Sequence, residues 1–246
     1  MSDTPFGRID VHSHLLPGVD DGCPDLRESI ACAREMVSAG YTHSFCTPHI
    51  WPNLPHNSVR EITERTAQLQ SAFEEAGVPL KLVPGGELNL RPDLIETPPE
   101  AIPTYGMAGR YCLFDIWVDR LPAFFWKTVE RLQSLELKVI LAHPERMRAV
   151  QDQPELVSEF ANRGLLLQGN LQCLGDPPHT HTRLLAERFI QEGRYFMLGS
   201  DLHNLAGLPL RMKGLARAVE LVGDPEVWKL TRDHPRQLLP EGSRAT

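Results

Sequence analysis

The sequence predicts an α/β protein, a distorted (β/α)7 TIM-like barrel with its functional site at the carboxyl ends of the strands. Three observations predict it. Short apolar strands alternate with helical stretches along the whole chain, the pattern of a parallel sheet. The 246 residues suit one α/β barrel domain spanning 1–246. Polar residues stand just beyond almost every strand, where a barrel would gather them on one rim.

The candidate strands are residues 8–12, 42–47, 80–83, 111–116, 138–142, 165–168 and 195–199. The first helix opens at Asp25 with Glu28 three residues on, a capping-box pattern. Leu26, Ile30, Ala33 and Val37 then recur at helical spacing until Gly40. The second opens with Ser58 and Glu61 and carries Val59, Ile62, Thr66, Leu69, Phe73 and Ala76 on one face before Gly77. Later helices are expected over 122–134, 154–163, 182–192, 209–222 and 225–232, with prolines marking several starts. Seven strand–helix units, one fewer than a complete TIM barrel, predict an incomplete or distorted one. An open doubly wound sheet would gather only the residues near its switch point.

Composition narrows the class. Hydrophobic residues make up 41% and charged residues 23%, as in a chain with a real core. A formal net charge of −7 argues against nucleic-acid binding or an anionic membrane surface. The start, MSDTPFGRID, has no basic stretch followed by an apolar one, and no apolar run approaches membrane-spanning length. A soluble cytoplasmic protein without membrane insertion is expected, its oligomeric state left open. Cys23, Cys32, Cys46, Cys112 and Cys173 are odd in number and form no CxxC pair, so they read as buried free thiols.

The polar strand ends carry the chemistry. His12 and His14 sit at strand spacing i, i+2, which points both imidazoles to one face and suits capture of one divalent ion. Alone that pattern is common; its company is not. Asp20-Asp21-Gly22 follows in the next loop, then Thr47-Pro48-His49, Gly86-Glu87, Asp115, His143-Pro144-Glu145-Arg146 and Ser200-Asp201-Leu202-His203-Asn204. Five histidines and four carboxylates in a partly buried cup would carry a large desolvation cost without cations. That set exceeds the needs of one ion and suits two or three divalent ions sharing carboxylates. Mixed imidazole and carboxylate ligation favours Mn²⁺, Fe²⁺ or Zn²⁺ over Ca²⁺ or Mg²⁺. Such a centre would hold a bridging hydroxide for attack on phosphorus, with Arg146 as a planar clamp for phosphate oxygens. A surface or supporting ion pair is the plainer reading of Arg146.

These motifs, in this order over about residues 9–204, resemble the polymerase and histidinol phosphatase (PHP) superfamily. Val19-Asp20-Asp21-Gly22 and His143-Pro144-Glu145-Arg146 resemble its capsule-type (CpsB/CapC-like) metal-dependent bacterial protein-tyrosine phosphatases. The resemblance implies a seven-unit barrel and a trinuclear manganese-type centre. It also implies dephosphorylation of a bacterial tyrosine kinase that controls capsule or exopolysaccharide synthesis. Carried over by position, the metal ligands are His12, His14, Asp21, His49, Glu87, Asp115, His143, Asp201 and His203. Asp115 departs from the usual Glu and is one methylene shorter. The family's arginine soon after Asp-x-His-Asn has no counterpart in 205–210, so Arg211 is the nearest candidate for binding substrate.

Arg146 and His203 are the candidate catalytic groups. Phenolate is a good leaving group, with a tyrosine pKa of about 10, so His203 or a metal-bound water need supply little acid help. Trp51 could stack on the substrate ring or merely anchor its loop. His179 and His181 repeat the HxH pattern among prolines and read as solvated loop residues; His43 and His56 match no motif. Cysteine-dependent tyrosine phosphatase chemistry is excluded, since no cysteine begins a C-x5-R. The nearest alternative is a PHP phosphatase acting on histidinol phosphate or another small phosphate ester. A metal-dependent amidohydrolase, which would want a lysine on strand four, and a non-enzymatic scaffold are the more distant ones.

Overall fold

Every strand expected from the sequence forms, each parallel to its neighbours, in a computed structural model that describes residues 6–241. The outermost residues of the expected 1–246 domain lie outside the described residues. In chain order the strands are β1 (Arg8–Ser13), β2 (Tyr41–Cys46), β3 (His49–Ile50), β4 (Lys81–Pro84), β5 (Glu87–Asn89), β6 (Tyr111–Asp115), β7 (Lys138–Ala142), β8 (Leu166–Asn170) and β9 (Met197–Gly199).

Two ladders run β1-β2-β4 and β3-β5-β6-β7-β8-β9. The chain itself stitches them together, since β2 leads to β3 across Thr47 and Pro48, and β4 to β5 across Gly85 and Gly86. Thr47 N donates to Ser13 O at 2.9 Å and Glu87 N to Pro48 O at 3.0 Å. At the far edge Ser13 bridges Leu202, Asp201 N donates to His12 O at 2.7 Å, and His14 N donates to Leu202 O at 2.9 Å. The result is a curled parallel sheet of TIM-like kind.

The sequence pattern missed β3 and β5. Proline has no N–H for the ladder and glycine breaks the apolar alternation, so both strands are hidden behind their own interruptions. Gly86 is required there, because a Cβ on it would lie 2.8 Å from Pro103 Cβ.

Helices α1 (Leu26–Ser38), α2 (Val59–Glu75), α3 (Phe125–Gln133), α4 (Arg148–Asp152), α5 (Leu156–Asn162), α6 (Leu171–Gly175), α7 (His181–Gln191), α8 (Leu208–Val222) and α9 (Asp224–Trp228) fill the connections. Ser58 and Glu61 make the full reciprocal capping box on α2. On α1 only half of it forms. Asp25 accepts from Glu28 N, but the Glu28 carboxylate accepts from Leu205 N at 2.9 Å and ties α1 to the loop after β9. Pro122 and Pro154 stand just before α3 and α5, their carbonyls accepting from Phe125 N and Val157 N. The helix expected over 225–232 ends at Trp228 and continues as a π-helical turn, Lys229–Asp233. The short α4 and α6 were not expected.

Packing explains why β6 and β7 are apolar on both faces. Leu113, Ile140, Ala142 and Met197 meet Ile9, Val11 and Phe45 on the enclosed face of the curl. Their alternate neighbours Cys112, Phe114, Val139 and Leu141 lie against α3, α5 and α7. All five cysteines are buried free thiols, and no helix among the described residues is long and apolar enough to cross a membrane.

Candidate metal centre

The carboxyl ends of the strands bring together all nine residues singled out as candidate ligands. Four clusters form, each with ligand atoms within 4.8 Å of one another: His14, Asp21, His49 and His203; His12, His14 and Glu87; His12, His143 and Asp201; His49, Glu87 and Asp115. Sharing of His12, His14, His49 and Glu87 between clusters joins them into one continuous cup.

Glu87 sits at its centre, with His143 Nε2 2.9 Å from Oε1 and His12 Nε2 3.4 Å from Oε2. Asp201 Oδ1 lies 3.4 Å from His12 Nε2 and 3.3 Å from His14 Nε2. Asp21, its side chain 67% exposed, closes the mouth 3.2 Å from His49 Nε2 and 3.4 Å from His203 Nε2. His143 and Asp201 both adopt left-handed backbone, at φ 31° and φ 51°. For non-glycine residues that is strain held by the surrounding structure, and it commonly marks functional positions.

Neighbours outside the predicted set orient it. Gln168 Oε1 lies 2.9 Å from His12 Nδ1 while its amide nitrogen donates to Gly169 O. Asp20 Oδ2 takes His14 Nδ1 at 2.8 Å and accepts from His49 N at 3.0 Å. With Nδ1 engaged by acceptors in both rings, both Nε2 atoms face the cup. Asn170 Nδ2 and Arg146 Nη1 both donate to Asp201 Oδ2, at 2.9 and 2.6 Å. Behind the cup Asp10 accepts from Ser200 N and Oγ, fixing the turn into Asp201.

Charge is concentrated here. Burial opposes the charged form of His12, but Glu87 and Asp201 outweigh it and hold His12 up to about 9. His14 is likewise raised against burial by Asp20 and Asp201. Glu87 and Asp201 stay well below the usual carboxylate range despite burial, held there chiefly by the imidazoles. Asp20 is drawn down to about 2 by His14. Asp115 goes the other way, pushed up to about 6 by burial and then by the Glu87 charge.

Three buried side-chain atoms of the fourth cluster lack a hydrogen bond: His49 Nδ1, Glu87 Oε2 and Asp115 Oδ2. The first two are 2.8 Å apart, but not aligned for a hydrogen bond. Unpartnered polar atoms clustered in this way fit a cation, and imidazole with two carboxylates fits a divalent transition metal.

The remaining predicted residues separate clearly. Arg146 is on the rim with 30% of its side chain exposed. His203 is also on the rim, its Nδ1 2.9 Å from Asp201 O. Trp51 lies beside His49 with ring centroids 4.2 Å apart and the planes tilted by 31°. Arg211 is buried, and its guanidinium donates to the carbonyls of Ser200, Gly207 and Asp201. His179 and His181 are exposed and outside these clusters, His179 in the loop as expected and His181 as the first residue of α7 rather than in that loop. Asp20 lay in a motif the sequence offered, but Gln168 and Asn170 carry no ligand signal and were missed.

Residues 8–240 match the family model for capsular polysaccharide synthesis, CpsB/CapC. The chain is 25% identical over 197 residues to the tyrosine-protein phosphatase YwqE of Bacillus subtilis, covering 80% of this chain and 78% of that one. It is 27% identical over 224 residues to the tyrosine-protein phosphatase CpsB of Streptococcus agalactiae, covering 87% and 89%. Among solved structures it superimposes with a TM-score of 0.83, at 24% identity and 94% coverage of both chains, on a structure from work on Bacillus subtilis YwqE and Streptococcus pneumoniae CpsB, metal-dependent tyrosine phosphatases.

Proposed function

The chain belongs to the CpsB/CapC family of capsular polysaccharide synthesis proteins, and from that premise we propose that it is a metal-dependent protein-tyrosine phosphatase. The observation that carries this reading is the cup itself, above all the three unpartnered buried atoms of His49, Glu87 and Asp115. The ligands we assign are His12, His14, Asp21, His49, Glu87, Asp115, His143, Asp201 and His203, holding two or three ions. The mixed donor set favours Mn²⁺, with Fe²⁺ or Zn²⁺ as alternatives. Divalent ions held there would supply a hydroxide nucleophile at neutral pH and positive charge for the phosphoryl oxygens.

The chain's own groups supply the rest. Arg146, anchored through Nη1 to Asp201 Oδ2, presents a planar guanidinium on the rim as a fork for non-bridging phosphate oxygens. His203, on the same rim, has Nδ1 against Asp201 O and Nε2 left for an ion, so we assign it as a ligand rather than as the acid; the departing phenolate needs little proton help. Trp51 borders the cup at His49 and is assigned to the substrate side. Arg211 is reassigned, because its three bonds to backbone carbonyls brace the turn that carries Asp201 and His203. We read β2 with β3, and β4 with β5, as interrupted single strands, giving seven units in one domain. The phosphoprotein partner implied by the family is a bacterial tyrosine kinase of capsule or exopolysaccharide synthesis, met in the cytoplasm.

Hydrolysis of histidinol phosphate or another small ester is the second reading, since the same cup could serve it. An amidohydrolase is disfavoured, because β6 (Tyr-Cys-Leu-Phe-Asp) holds no lysine. Protein stripped with a chelator and reloaded with manganese should hydrolyse phosphotyrosine peptides only after reloading, with a higher kcat/KM than for histidinol phosphate. Full activity in the stripped protein would refute the metal mechanism. Preference for histidinol phosphate would overturn the substrate assignment.

A further inference from the structure

Trp117 stands two residues beyond Asp115, on the segment that leaves β6 at the rim of the cup. It is 49% exposed and, like Leu26 and Leu184 elsewhere in the sequence, is a large apolar side chain left open. Two contacts set it apart. Its ring centroid lies 5.8 Å from that of His143, tilted by 37°, and the Arg146 guanidinium carbon lies 4.8 Å from its centroid. One indole therefore touches an assigned ligand and the assigned phosphate fork, while half of its surface stays open.

We propose that Trp117 is the platform for the substrate's aromatic ring, making the site select aryl over alkyl phosphates. The inference rests on the phosphatase reading and deepens it. A phosphate monoester whose phosphoryl oxygens lie on Arg146 places the group beyond its bridging oxygen next to whatever flanks that guanidinium. Here the flanking surface is an indole face. Aromatic rings attract one another at centroid separations of about 4.5–7 Å, the range in which Trp117 already meets His143. A simple alkyl phosphate has no ring to offer and gains less from the indole. Trp51, on the His49 side, is the rival platform. Its indole Nε1 is buried without a partner, and Trp117 is the indole seen against Arg146.

The test compares binding of two non-hydrolysable ligands, phenylphosphonate and methylphosphonate, to the manganese-loaded protein by calorimetry. The wild type should prefer phenylphosphonate. Trp117→Ala should weaken phenylphosphonate roughly three- to tenfold, as loss of one aromatic contact implies, and move methylphosphonate less than twofold. Trp117→Phe should keep most of the preference. Equal weakening of both ligands would mean that Trp117 only braces Arg146, and would overturn the proposal. So would an unchanged preference in Trp117→Ala, loss of the preference in Trp51→Ala instead, or no preference in the wild type. Failure of the phosphatase reading shows separately, as manganese-loaded protein that binds the phosphonates but does not hydrolyse phosphotyrosine peptides.

Discussion

Asp20 and Asp21 are adjacent in the chain and face opposite tasks. Asp21 stands at the mouth of the cup, whereas Asp20 lies behind it, holding His14 through Nδ1 and the His49 and Gly22 amides through its two oxygens. Asparagine at position 20 keeps one accepting oxygen and turns an N–H₂ toward donors. Asp20→Asn should therefore weaken manganese binding about 10- to 100-fold, the usual cost of losing a group that orients a metal-bound histidine. A metal titration superimposable on the wild type would remove Asp20 from that role. Sequence showed the acidic pair, but only the family resemblance singled out Asp21 as the member in front, because consecutive loop residues have no fixed face. It showed the histidines and carboxylates because metal chemistry needs those types at strand ends. It could not show Gln168 or Asn170, whose work depends on what lies across the sheet. The bracing role we propose for Arg211 was hidden for the same reason: an arginine that binds substrate and one bonded to three carbonyls look alike in one dimension.

Among the elements, α6 and α8 approach most closely where glycine permits it. A Cβ on Gly214 would lie 1.8 Å from Leu171 O, and one on Gly175 2.2 Å from Leu210 O, so each helix rests on the other's backbone. Neither obstacle is a flexible side-chain tip that could swing aside. Gly214→Ala should cost roughly 3 kcal/mol, the upper end of ordinary overpacking. For a chain of this size that is a fall in Tm of about 6–12 °C, read by calorimetry; a shift under 2 °C would refute the close-packing account. The effect should reach the cup, since α8 begins directly after the loop of Asp201 and His203 and carries Arg211. Here the sequence was informative in one direction only. Apolar periodicity and the Ser58–Glu61 cap located α2 closely, but α6 is a five-residue helix too short to show a period. At α1 the local cap pattern lost half of its pairing to a distant amide, that of Leu205.

For the molecule as a whole, part of the acidity behind the net charge of −7 is concentrated in one place. Glu87, Asp115 and Asp201 are buried together, and the imidazoles around them can offset the charge only by holding protons. Divalent cations offset it directly, and an unfolded chain, with these residues dispersed over some 190 positions, cannot present the same set. Metal must therefore bind the folded state preferentially and raise its stability by mass action. The gain is about 2.7 kcal/mol when free ion is a hundredfold above its dissociation constant, or roughly 5–11 °C in Tm. Manganese should raise Tm progressively with concentration, and excess chelator should reverse it. Asp115→Asn tests the assignment within the same measurement. It removes one carboxylate from the His49–Glu87–Asp115 cluster, so the metal-dependent part of the rise should shrink and bound metal should fall by up to one ion per chain on elemental analysis. A manganese-dependent rise of full size in that variant, with full metal content, would place the stabilising ions elsewhere in the cup. A Tm indifferent to manganese in the wild type would mean that the acidic centre is balanced by its own protons alone.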